Sequence, residues 1–123
     1  MQRMWIGLGG LLGAVAVVLA AAAAHGSNVL GAEGVEQVRA AAQIAGWHAL
    51  AILAVALWAP RAGRIADVAG SMFFVGAVLF VGAVTGPLLG LPPPVARAAP
   101  FGGTLLIAAW LVLAASSVFR RSA

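Results

Sequence analysis

Two side chains in this chain are imidazoles, His25 and His48, the side-chain type suited to chemistry at neutral pH, and they set the outer limits of what it can do. A histidine can relay protons, ligate a metal or hold a flat cofactor. Trp47 adjoins His48, and Trp110 lies far along the chain, so the three together are candidate contacts for a quinone, a haem or a pigment. The same residues have a plainer use, an imidazole hydrogen-bonded to a neighbouring helix and indoles that fill space. His25 is followed by Glu33 and Glu36, which makes it a candidate metal ligand if all three converge. Cysteine is absent, which removes thiolate ligands, a thiol nucleophile and disulfides. Phosphate loops, H-E-x-x-H and G-x-S-x-G are absent from the sequence too. The three acids, Glu33, Glu36 and Asp67, all fall in expected connections, so no general acid–base pair is in prospect. The sequence assigns no catalytic residue and no cofactor.

The elements that position these residues follow from composition. Of 123 residues, 63% are hydrophobic and 8% charged, and the mean hydropathy is +1.08. A soluble domain is about half apolar and about a quarter charged. Too few polar groups remain to cover a water-facing surface, and disorder fails on the same ground. Seven arginines against three acids give a net charge of +4, too sparse for a nucleic-acid surface.

Crossing a ~30 Å hydrocarbon core takes about 20 apolar residues in a helix. Four stretches qualify, and unbroken Ala-, Leu- and Gly-rich runs argue for helices over strands. The expectation is an all-α, polytopic membrane protein, a single transmembrane domain over 1–123. Its helices lie at about 4–25, 36–59, 67–89 and 100–120, in a compact bundle. The first run resembles a signal peptide, with Arg3 and an alanine run, but its apolar length of about 20 exceeds the usual ~7–15 and favours a retained helix.

Arg3, Arg61, Arg64, Arg120 and Arg121 share one side of a four-span topology, and Arg39 and Arg97 share the other, which predicts both termini in the cytoplasm. Trp5 and Trp58 then belong at the cytoplasmic interface. The connection from His25 to Gln37 reads as an outer loop broken by Gly26, Ser27, Asn28, Gly31 and Gly34; its later part, from Glu33 to Arg39, is able to begin the second helix early, with Glu36 placed to pair with Arg39. Asp67 is placed to cap the third helix, and Pro92, Pro93 and Pro94 predict a stiff extended linker.

Helices in lipid associate through small residues that allow close approach. Gly9 and Gly13, Gly82 and Gly86, and the further glycines Gly76, Gly102 and Gly103 are the expected packing positions, with His48 on a face shared by Ala41, Ala45 and Ile52. His48 lies near mid-span, where an ionisable group is costly and often functional. No span carries an acid to pair with it, so a neutral imidazole that fixes the bundle is the favoured reading. Its expected partners are a carbonyl of its own helix or a Ser or Thr on a facing one. His25 sits roughly 10–15 Å from His48 in depth, so the two do not serve one haem.

Several segments together resemble a known family. Ala24-His25-Gly26 ends the first span, and Trp47-His48-Ala49-Leu50-Ala51-Ile52-Leu53 lies in the second. Phe74-Val75-Gly76 follows in the third, and Pro100-Phe101-Gly102-Gly103 with Trp110 in the fourth. This order is similar to that of the YgdD-like family, small bacterial inner-membrane proteins of unknown function with a related eukaryotic transmembrane family. The resemblance implies four transmembrane helices and a multi-pass inner-membrane location, and supplies no activity. Ile44-Ala45 stands where the family pattern has Tyr-Gln. Leu79 stands at a Tyr position, and this chain has no Tyr. Lost hydrogen-bonding groups favour a packing role over a small-molecule site.

The function expected from these readings is a non-enzymatic accessory or assembly subunit packed against a larger respiratory or photosynthetic membrane complex. Its partners are the bilayer and other membrane subunits or itself, not nucleic acid. The alternatives are a transporter or channel component, for which Ser71, Thr85, Thr104, Ser116 and Ser117 are the sparse polar groups in or near the spans, or a quinone-, haem- or pigment-contacting protein that uses His48.

Overall fold

The computed structural model describes residues 1–119; the expected end of the fourth span near 120, with Arg120 and Arg121, lies outside the described residues. Four α-helices run in chain order: α1 Gln2–His25, α2 Ser27–Ala62, α3 Arg64–Thr85 and α4 Ala99–Ala115. Four helical stretches are long and apolar enough to cross a membrane, the last counted from Pro93. That extension matters, because the 17 residues of α4 rise about 26 Å, short of a ~30 Å hydrocarbon core. Helices close their backbone hydrogen bonds internally, which suits a solvent that offers none.

The connections are tighter than the sequence predicts. Gly26 by itself separates α1 from α2, and its N–H closes on Ala22 O at 2.8 Å. The expected outer loop is instead helical from Ser27, bent at Gly31, whose φ of 68° and ψ of 174° belong to glycine. Beyond the bend, Gln37 donates to Glu33 and Arg39 pairs with Glu36, side-chain contacts one turn apart that support the helix the glycines weaken. Gly63 alone joins α2 to α3, at φ 67° and ψ −148°. Asp67 therefore lies inside the first turn of α3 and does not cap it; Gly63 holds the N-cap position. The proline linker is extended only around Pro92, at φ −56° and ψ 139°, and Pro93–Ala98 winds into a 3₁₀ turn that leads into α4.

Close packing joins α1 to α2, α2 to α3 and α3 to α4. In their most apolar stretches α2 and α3 are 50% and 44% buried, against 22% for α1 and 17% for the fourth span, so α2 and α3 form the centre and the others flank it. The compact bundle expected from the sequence is thus an array in chain order, with no extended contact between α1 and α4 among the described residues. Its core is mostly alanine, with Trp5, Ile52, Val55 and Phe73 as the large fully buried members.

Glycine sets how near the helices come. A Cβ on Gly9 would lie 2.9 Å from Leu53, and one on Gly76 would lie 2.9 Å from Leu106. Gly102 is tighter still, since its Cβ would meet Phe80 N at 2.6 Å. Gly13 and Gly103 are looser, with Ala49 Cβ at 3.8 Å and Phe80 at 3.9 Å. The pair Gly82 and Gly86 makes no shared helix–helix face: Gly86 is closed over by Leu91 and Val95 of the following connection, at 3.0 and 3.4 Å from a Cβ there, and Gly82 by nothing. Gly82 is exposed with nothing within 4 Å of a Cβ, and Gly86 caps α3, its N–H bonded to Gly82 O. A small residue every fourth position marks one side of a helix, but it does not say which side faces a neighbour.

Candidate functional site

His48, Trp110 and Phe73 meet at the centre of the array, one each from α2, α4 and α3. His48 is 5% exposed, carried on the inner face of α2 with Ala41, Ala45 and Ile52, all fully buried. Its Nδ1 lies 2.7 Å from Ile44 O, one turn back. Its Nε2 accepts from Trp110 Nε1 at 3.2 Å. A carbonyl only accepts and an indole N–H only donates, so the pair of contacts assigns the ring proton to Nδ1 and the lone pair to Nε2. Phe73 packs against both rings, edge-on to Trp110 at 4.9 Å between centroids and tilted to His48 at 5.7 Å.

The carbonyl partner is one of those the sequence suggests; the Ser or Thr on a facing helix is replaced by an indole. Small hydroxyls on α3 and α4 are spent on their own backbone. Ser71, Thr85 and Thr104 donate to the carbonyls of Asp67, Val81 and Pro100, and Ser116 and Ser117 to those of Leu113 and Ala114. Trp110 reaches instead, its long indole passing over the edge of Phe73 on α3 to meet His48 on α2.

Two further indoles make the same kind of reach. Trp5 on α1 donates to Asp67 Oδ1 on α3 at 2.7 Å, and Trp58 on α2 donates to Ser116 Oγ beyond the end of α4 at 2.8 Å. Trp5 is 2% exposed, so within the protein it is a core residue, anchored to a carboxylate at the helix ends. Sequence reading also missed Phe73 and these cross-helix pairs. Their signal was the presence of four tryptophans in so apolar a chain, each N–H of which needs an acceptor. Among the described residues, every buried side-chain nitrogen and oxygen has a partner.

Trp47 points elsewhere. It is 60% exposed and, with Leu50, Ala51, Ala54, His48 and Trp110, lines an open groove of 410 Å³ between α2 and α4. The candidate cofactor contacts Trp47, His48 and Trp110 are therefore neighbours, but the His48 lone pair is occupied. His25 ends α1 and is exposed. No group of three His, Cys, Asp or Glu that could hold a metal comes together among the described residues, so His25 does not gather Glu33 and Glu36 into a ligand set. Those acids instead pair with Gln37 and Arg39.

A family model described as a protein of unknown function, DUF423, matches residues 19–103. The match covers the Trp47–Leu53 and Phe74–Gly76 segments and ends just after Gly102. A UPF0382 membrane protein from Haemophilus influenzae is 32% identical over 123 residues, covering 99% of each chain. No solved structure matches the chain.

Proposed function

Because this chain belongs to the DUF423 family of small membrane proteins, a family whose name carries no activity, we propose its role from its architecture: a non-enzymatic, multi-pass accessory or assembly subunit. The observation that carries this reading is the state of His48. The one ionisable side chain deep in the spans has both nitrogens engaged, one by its own helix and one by Trp110. A ligand role needs the Nε2 lone pair that Trp110 fills, and a relay needs titratable groups at both nitrogens, where this ring has a backbone carbonyl and an indole. The serine and threonine hydroxyls available to line a conduit are likewise turned back on their own helices.

What remains for interaction is apolar surface. Leu11, Val15, Val18, Leu50, Leu57, Ile107 and Leu111 face outward, and on α1 nothing lies within 4 Å of a Cβ at Gly7 or Gly10. Helices in lipid associate over such small positions, so α1 is the face we assign to a partner subunit or a second copy. The chain lacks cysteine, so Gly10→Cys gives a unique thiol for cross-linking in native membranes. The expected result is a cross-linked band, together with migration above the monomer on native electrophoresis in mild detergent. A monomer by both measurements overturns the reading.

The arginines support a cytoplasmic placement of both termini in a bacterial inner membrane. Arg3, Arg61 and Arg64 flank the end where α1 starts and α2 turns into α3, and Arg39 and Arg97 lie at the other end. Gln2→Cys and Asn28→Cys test it in intact cells. An impermeant maleimide is expected to label the second and not the first.

The groove between Trp47 and Trp110 favours a second reading, contact with a lipophilic ring such as a quinone or pigment. The absorbance spectrum and solvent extract of the purified protein decide it, and a co-purifying ring lost in Trp47→Ala would establish it.

A further inference from the structure

The cleft between the second half of α1 and the first half of α2 carries two polar groups on its lining, Arg39 and Gln43, and Glu36, the ion-pair partner of Arg39, stands at its rim one turn above. The cleft holds 390 Å³ and is walled mainly by alanines, Ala16, Ala20 and Ala23 on one side and Ala42 on the other, with Arg39 and Gln43 on its lining. That volume falls in the range of small-ligand sites, roughly 300–1,000 Å³. Ala16 to Ala24 spans about 12 Å along the helix, so the space is elongated and runs with the helix axes.

Glu36, Arg39 and Gln43 follow one another along one side of α2, three and four residues apart. At the helical rise this places an anion, a cation about 4.5 Å deeper and a neutral amide about 6 Å deeper again. Arg39 and Glu36 form an ion pair, both largely exposed, so each keeps capacity for an outside partner. Gln43 is exposed, and its amide makes no hydrogen bond among the described residues. The cleft is otherwise apolar: Ala16, Ala23 and Ala42 form its buried floor, and Val17, Ala20 and Ala24 are its exposed wall, surface that gains dispersion contacts when something apolar fills it.

We propose that this cleft binds a glycerophospholipid with a zwitterionic ethanolamine headgroup. The order of groups on α2 is the order of groups along that molecule. The ammonium meets Glu36, the phosphate meets Arg39, an ester carbonyl accepts from the Gln43 amide, and an acyl chain lies between the alanines. Charge complementarity selects this headgroup. An anionic glycerol headgroup would satisfy Arg39 but bring no cation to Glu36, and a second helix would fill the apolar space without answering the polar series.

The test is lipid retention by the full-length protein, reconstituted in vesicles of equal phosphatidylethanolamine and phosphatidylglycerol and read by native mass spectrometry. The expected result is one retained lipid, with ethanolamine favoured several-fold over glycerol. Glu36→Gln is expected to abolish or reverse that preference, Arg39→Gln to cut retention of both lipids, and Gln43→Ala to weaken retention without changing the preference. Ala20→Leu is expected to remove retention by filling the cleft from a lipid-exposed position, with helicity by circular dichroism unchanged. Glycerophosphoethanolamine, which lacks the chains, is expected not to compete. Equal retention of the two lipids, or wild-type retention by a folded Ala20→Leu protein, overturns the proposal.

Discussion

In the hairpin of α1 and α2, a Cβ on Gly9 would stand 2.9 Å from Leu53 and 3.1 Å from Ala49 O. In the hairpin of α3 and α4, Gly76 meets Leu106 and Gly102 O at the same two distances. In each case the leucine lies one turn after the residue whose carbonyl is approached, so the first helix of each hairpin receives the second in the same way. The neighbouring contact then diverges. In the first hairpin Gly13 faces Ala49 Cβ at a relaxed 3.8 Å, whereas in the second Gly102 faces the backbone of Phe80 at 2.6 Å. The small residue has moved from the first helix to the second, and the large one it admits is an aromatic. One docking geometry thus tolerates two distributions of volume, and the one with the larger side chain leaves less slack.

Cutting the joint between the hairpins is expected to have the largest effect. His48→Asp places an acid deep in the spans, at about 2.5–3.5 kcal/mol on insertion scales, and removes the ring that Trp110 holds. Reduced insertion, read by glycosylation-tag mapping, checks it.

The difference between the hairpins themselves is sharpened by Gly102→Ala against Gly9→Ala. The first drives a methyl into backbone that cannot move aside and is expected to cost about 1–3 kcal/mol. The second pushes chiefly on the Leu53 side chain, which can rotate, at about 0.5–1.5 kcal/mol. Unfolding in mixed detergent–SDS micelles gives both values. Equal losses would mean that the Leu53 side chain cannot turn aside and that the two contacts are equally rigid.

Trp110→Phe keeps the aromatic contact with Phe73 but deletes the donor to His48. One interhelical hydrogen bond in a membrane averages about 0.6 kcal/mol, so a loss of that size is expected in the same assay. The smallest change belongs to Gly82→Ala. Its side chain enters open space on the outer face of α3, so stability is expected to stay within about 0.5 kcal/mol.

The four spans were legible because hydrocarbon demands long apolar runs and nothing else in the chain competes with them. The burial face of α2 was legible as well, since Ala41, Ala45, His48 and Ile52 recur at helical spacing. The connections were not. Gly26, Ser27, Asn28 and Gly31 all look like loop residues, yet Gly26 makes the whole turn at φ −96°, and glycine's wider range is used here only at the Gly31 bend, φ 68°, inside a helix. Asp67 was misplaced for a different reason. Its partner Trp5 is 62 residues away, and local pattern cannot show that a donor will arrive to claim a carboxylate otherwise suited to capping. His48 divides the same way: its bond to the carbonyl four residues back is local and could be anticipated, while Trp110 arrives only when the helices assemble.

The single-residue turn at Gly63 bears on how the two hairpins are coupled. Consecutive Cα atoms are about 3.8 Å apart, so the end of α2 and the start of α3 can never be separated by more than a few ångströms. With no loop between them, α2 and α3 share one corner in the folded protein, with Arg61 and Arg64 on either side of it. The flanking helices dock on this pair, α1 on α2 and α4 on α3, so a displacement of that corner is felt by both hairpins at once.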